Sequence, residues 1–196
     1  MPQENRVAQA LTPAARALAL LAGYALLLLT LVITVEVLLR RFANISLQGS
    51  DELGGYTLAM IGAFGFSLAA LERAHTRVEI LTERAGPGTG SVLNLLATLG
   101  TMLMALFMAW QGWVALMESV EFRSLSGTPL MTPLWMPQGV WVFGLAVFAL
   151  VSTALFLHAA LLFARDRDRL NRFYGPKALK EVIDEEQAGM TARGAR

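Results

Sequence analysis

The chain contains no cysteine, which excludes disulfides, thiol nucleophiles and Cys-ligated zinc or iron–sulfur centres. Charge is scarce too. Only 16% of the 196 residues are charged, and 16 basic against 15 acidic residues leave a formal +1. That balance creates no field able to attract nucleic acid or an acidic substrate. Proline is absent from the middle of every long apolar run: Pro2, Pro13, Pro87, Pro129, Pro133, Pro137 and Pro176 fall in ends, in loops or at the start of a run, where a missing N–H does no harm. A Gly-rich phosphate loop, an HExxH pair and a nucleophile with a paired base are all missing. The expectation is a chain that is not an enzyme, with no catalytic residue, cofactor or metal site.

What the chain has is apolar length. Hydrophobic residues make up 55% of it, gathered into blocks and not spread at amphipathic spacing. A spanning helix needs roughly 20 apolar residues to cross about 30 Å of hydrocarbon, because lipid offers no partner to a bare N–H or C=O. Four segments qualify: Ala17 to Val35, Leu53 to Leu71, about Val92 to Met117, and about Leu134 to Ala164. The expected fold is all-α, an integral membrane protein with four transmembrane helices over residues 17–164. A cytoplasmic N-terminal segment (1–16) and a cytoplasmic tail (165–196) flank it. The first span is read as a retained anchor and not a signal peptide, because Glu36-Val37-Leu38-Leu39-Arg40-Arg41 follows it with no small-residue cleavage pattern.

Basic residues are held on the cytoplasmic side of a membrane. On alternate segments one side carries Arg6, Arg16, Arg73, Arg77, Arg84, Arg165, Arg167, Arg169, Arg172, Lys177, Lys180, Arg193 and Arg196, the other Arg40, Arg41 and Arg123. This predicts both termini inside (N-in/C-in), with Phe42 to Ser50 and Glu118 to Pro133 outside. Trp110, Trp113, Trp135 and Trp141 then all lie toward the outer interface, where an indole satisfies both its ring and its N–H. The loop Glu72 to Gly88 alternates charge with Val78, Ile80 and Leu81, which predicts a short segment lying on membrane lipid with its arginines at anionic headgroups. The tail reads as a charged anchor, Arg165 to Arg169, followed by a solvated helix over Lys177 to Gln187.

Few residues suggest chemistry. Glu36 is the acid nearest the interior of a span, costly enough there to raise a functional question. Arg40 four residues later favours an ion pair at the membrane lip, and an ion or proton site is the alternative. His75 and His158 are the only histidines. Both fall toward the cytoplasmic side, and His75 sits in a charged run, so an interfacial role fits better than a bis-histidine haem. Span two opens with Ser50-Asp51-Glu52, read as a hydroxyl N-cap followed by two carboxylates at the positive helix end. Within it Gly55, Ala59, Gly62 and Ala63 form a small-residue stripe along which another helix can approach, which makes them subunit-interface candidates.

In order along the chain, Glu36-Val37-Leu38-Leu39-Arg40-Arg41-Phe42, the pair Asp51-Glu52, the run Arg73-Ala74-His75-Thr76-Arg77-Val78-Glu79-Ile80-Leu81, and Thr132-Pro133-Leu134-Trp135-Met136-Pro137-Gln138-Gly139 resemble the small, DctQ-like membrane subunit of tripartite ATP-independent periplasmic (TRAP) transporters. Most of Ala17 to Phe163 takes part. Three positions depart from the family pattern: Gly49-Ser50 where a tryptophan often precedes the acidic pair, Ala74 for glycine, and Glu79 for aspartate. The resemblance makes Arg40, Asp51, Glu52, Arg73, His75, Pro133, Pro137 and Gly139 family-motif positions. It also implies a multi-pass protein of the bacterial inner membrane that works through partners. These are a large TRAP membrane subunit carrying substrate and sodium, and a periplasmic substrate-binding protein. The chain itself would be a scaffold subunit for organic-acid import. The alternative is a self-sufficient small oligomeric transporter or channel using Glu36.

Overall fold

The computed structural model describes residues 5–46, 48–72 and 87–175. Among the described residues there are five helices: α1 (Arg6–Ala43), α2 (Ser50–Leu71), α3 (Pro87–Glu121), α4 (Trp135–Arg165) and the short α5 (Arg167–Tyr174). The first four are long and apolar enough to cross a membrane. At a rise of about 1.5 Å per residue, the 38 residues of α1 extend about 57 Å and the 22 of α2 about 33 Å. Helix α2 matches the hydrocarbon thickness, whereas α1 runs well past it at one end or both. The expected segment between spans two and three, with Arg73 and His75, and the expected helix from Lys177 lie outside the described residues.

Local chemistry sets the helix ends. The Asn5 side chain accepts from the backbone N–H groups of Val7 and Ala8 at 3.2 Å each, satisfying donors that have no intrahelical partner. Pro13 lies inside α1, two turns from its start and before the apolar stretch. At the far end Asn44 adopts a left-handed conformation, φ 54°, and Arg40 and Arg41 occupy the last turn, where the dipole end is negative. Asp166, extended at φ −157°, stops α4. Its side chain then accepts from the Arg169 N–H at 3.1 Å and so starts α5.

The long helices pack in the order α1, α2, α4, α3, with α5 folded back against α3 and α4. Among the described residues the backbone of α3 approaches neither α1 nor α2. In its most apolar window α1 is 6% buried and α4 44%, as expected for an edge helix and a central one. Close approach is made by small residues, the general device where helices associate in lipid by van der Waals packing. One core cluster joins Ala22 of α1, Ala63 and Phe64 of α2, and Leu145 of α4. A second, Ala105 with Phe148 and Ala149, joins α3 to α4. A third, at the other end, holds Ala15, Leu71, Val151, Leu155, Ala159, Leu170 and Tyr174.

Of two glycines on these contacts, Gly144 has no room for a methyl group and Gly112 would hold one only tightly. A Cβ on Gly144 would lie 2.6 Å from Phe64 Cδ1 and 2.7 Å from Ala63 Cβ. On Gly112 it would lie 3.0 Å from Leu145 Cδ1. These mark where α4 crosses α2 and α3. Neither was singled out by the sequence, in which Gly144 shares a 31-residue apolar helix with Gly139 and Gly112 a 35-residue one with Gly88, Gly90 and Gly100.

Candidate functional site

The C-terminus of α1, the N-termini of α2 and α4 and the connection from α3 to α4 meet at one end of the molecule. The family-motif positions Arg40, Asp51, Glu52, Pro133, Pro137 and Gly139 lie on these elements. Two buried carboxylates anchor the end. Glu36 is 6% exposed and accepts from the Arg40 guanidinium at 2.7 Å, while Ser46 Oγ lies 3.5 Å from the same carboxylate oxygen and 3.0 Å from Arg40. The spacing of one helical turn sets this pair, and Arg40 is exposed.

Glu52 is 7% exposed and pairs with no cation among the described residues. Hydroxyl groups hold it instead: Tyr56 O–H donates to Oε1 at 2.5 Å, one helical turn away, and Thr128 O–H donates to Oε2 from the loop after α3. That loop is braced within itself. Ser126 N–H donates to Thr132 C=O at 2.9 Å and Thr132 N–H returns a bond to Ser126 Oγ at 3.0 Å, while Ser126 Oγ lies 2.9 Å from Thr128 Oγ1. Met131, at φ 49°, tightens the turn, and a single antiparallel bridge pairs Leu125 with Pro133. Glu52 is therefore the point where the loop is fastened to α2.

The cap of α2 differs from the sequence expectation. Gly49, not Ser50, is the N-cap, at φ 100° and without a side-chain cap bond. Ser50 is already helical, Asp51 is exposed, and Glu52 is turned to the hydroxyl cluster. Glycine is required at 49 on two counts: the left-handed conformation, and the Leu130 side chain pressed against the place a Cβ would occupy. The hydroxyl-rich string Ser124-Leu125-Ser126-Gly127-Thr128 was the available signal for the latch, but nothing in it names Glu52 as its target.

The small-residue stripe of α2 divides. Ala63 is buried at 1% beneath Gly144 and Ala22, inside the chain's own core. Gly55 and Ala59 are exposed and Gly62 half-buried, and a methyl group on Gly55 or Gly62 would touch nothing within 4 Å. With Leu58, 72% exposed, they form a bare face on a helix that packs against α1 and α4. Trp110, Trp113 and Trp135 are exposed, and Trp141 packs half-buried against the Ala22–Leu145 cluster.

At the opposite end, His158 and residues that the sequence did not single out build a clasp. His158 Nδ1 lies 2.8 Å from the Tyr174 hydroxyl, a phenol partner. Asn5 Nδ2 donates to the same hydroxyl at 3.4 Å, and Asn94 Nδ2 donates to Asn171 Oδ1 at 3.1 Å. Leu170 is fully buried and Tyr174 4% exposed. Burial pushes the Tyr174 phenol up to about 12, against a smaller lowering by the Asn5 bond. Thus Arg167–Tyr174, in the segment read as a charged tail, is an amphipathic helix with Leu170 and Tyr174 turned inward and Arg169 and Arg172 outward.

No curated protein and no solved structure matches the chain at a significant level. The sequence profile of the family described as "Tripartite ATP-independent periplasmic transporters, DctQ component" matches residues 29–162, from the second half of α1 almost to the end of α4. That match takes in both buried carboxylates, the latch loop and the α2–α4 crossing. With four membrane-spanning helices and more than half of its length matched, the chain belongs to the DctQ family, the small membrane component of TRAP transporters.

Proposed function

We propose that this subunit is a stationary scaffold that holds the large TRAP membrane subunit in the bilayer while that partner moves organic acids with sodium, supplied by a periplasmic binding protein. The observation that carries the proposal is the bare face of α2. A helix flanked by α1 and α4 still presents Gly55, Leu58, Ala59 and Gly62 outward, a surface on which a partner helix can pack closely. The two buried carboxylates near it are internally committed: Glu36 to Arg40, and Glu52 to Tyr56 and Thr128. A carrier built for alternating access has interrupted helices and polar groups near the midplane; the four described spans are continuous.

The chain sits in the bacterial inner membrane with both termini inside, on the strength of its arginines. Arg16, Arg165, Arg167, Arg169 and Arg172 gather at the clasp end, and Arg40, Arg41 and Arg123 at the latch end. The test is co-expression with the neighbouring large-subunit gene. Recovery of a stable complex, and sodium-driven uptake in liposomes only when both subunits and the binding protein are present, is the expected result. Uptake by this chain alone, abolished by Glu36→Gln, would replace the scaffold reading with that of a self-sufficient carrier.

A further inference from the structure

Two buried serine hydroxyls find no hydrogen-bond partner among the described residues: Ser67 on α2, fully buried, and Ser152 on α4, 2% exposed. Their surroundings differ. Ser152 borders a cavity of about 30 Å³ between the clasp-end portions of the helices, and Ser67 does not. The other polar residues lining it are Asn5, Thr98, Thr101 and Tyr174, and the rest of the wall is alanine, leucine and Phe173.

The hydroxyl chemistry of this wall is one-sided. Thr98 commits its proton to the Leu95 and Asn94 carbonyls at 2.9 and 3.1 Å, and Thr101 to Ala97 O at 2.9 Å. Each threonine oxygen therefore retains acceptor capacity toward the cavity, while Ser152 retains both a donor and its lone pairs. A water molecule needs on the order of 10–15 Å³ and two to four polar partners. The space is too small for an organic ligand, and no charged side chain among the described lining residues would neutralise an ion.

We propose that this cavity is a structural water site, in which one or two water molecules accept from Ser152 and donate to the threonine oxygens, joining α4 to α3 beneath the clasp. The bridge supplies, through solvent, the partner that the packed helices leave out. It also separates two serines that look alike in the sequence. Ser67 is a bare hydroxyl whose removal relieves a desolvated group, whereas Ser152 holds a bond that its removal breaks.

Thermal unfolding of the full chain in detergent tests this by sign. Ser67→Ala should leave the midpoint unchanged or raise it, and Ser152→Ala should lower it. Combining Ser152→Ala with Thr101→Val should cost less than the sum of the two single changes, since both address the same water. A Ser152→Ala midpoint equal to or above that of the parent, or strictly additive losses, overturns the proposal. Should the variants not fold, water-edited solid-state NMR of the unmodified protein in bilayers decides. Transfer from water to Ser152 and Thr101 but not Ser67 is expected, and equal absence at all three would refute the site.

Discussion

Gly144 and Phe64 meet so closely that a single methyl group on the glycine would fall 2.6 Å from the phenylalanine ring, with the Ala63 methyl 2.7 Å away. This contact fixes the separation of α2 and α4, the two helices in the middle of the row. Gly144→Leu should force them apart and destabilise the chain by about 1–3 kcal/mol, the usual range for overpacking a filled core. Thermal unfolding in detergent reads the loss; an unchanged midpoint would mean that the crossing is looser than the contact implies.

The same substitution on the bare face should behave differently. A Cβ on Gly55 meets nothing within 4 Å and the position is exposed, so the unfolding midpoint of Gly55→Leu should match the parent to within the ~0.5 kcal/mol typical of substitutions away from packed features. Recovery of the large subunit on affinity purification should nevertheless fall sharply. Full recovery would move the partner's contact away from α2.

At the latch, Thr128→Val removes a hydroxyl that donates to the buried Glu52 carboxylate. Hydrogen bonds to charged groups contribute about 1.5–3 kcal/mol, and Tyr56 continues to hold the other carboxylate oxygen. The loss should therefore appear locally, as faster proteolysis or amide exchange across residues 122–134, with the helices protected as before. Uniform loosening of the whole chain would instead make the latch part of the global core.

The clasp carries an alkaline signature. An unfolded tyrosine ionises at its ordinary value of 10, and the buried Tyr174 phenol at about 12. The folded state thus keeps its proton where the unfolded state loses it. The contribution is complete below pH 10, declines as pH rises toward 12, and is gone above it. Stability measured from pH 9 to 12 should fall more steeply for the parent than for Tyr174→Phe, which has no proton to lose. Parallel curves would place the phenol in contact with water.

The spans and the family were legible because both are written in continuous stretches of chain. Apolar runs of membrane length admit one economical structure, since every backbone polar group must be satisfied within the segment, and the motifs around Arg40, Asp51-Glu52 and Pro133-Pro137 are contiguous. The Glu36–Arg40 spacing is one helical turn, so the proximity of the two residues followed from the helix alone. What the sequence could not disclose is which side of each helix meets which neighbour. Ala63 and Ala59 belong to one stripe in the sequence, yet only Ala63 reaches α4. Glu52 read as a helix-end charge until the loop after α3 brought Thr128 to it, and Arg167–Tyr174 read as part of a charged tail until Leu170 and Tyr174 found α3 and α4. Periodicity reports that a helix is apolar; in a membrane nearly every face is, so the pattern that separates inside from outside in a water-soluble protein is erased. The pairing of helices was left to small residues, isolated hydroxyls and shape, whose meaning exists only once the chain has folded.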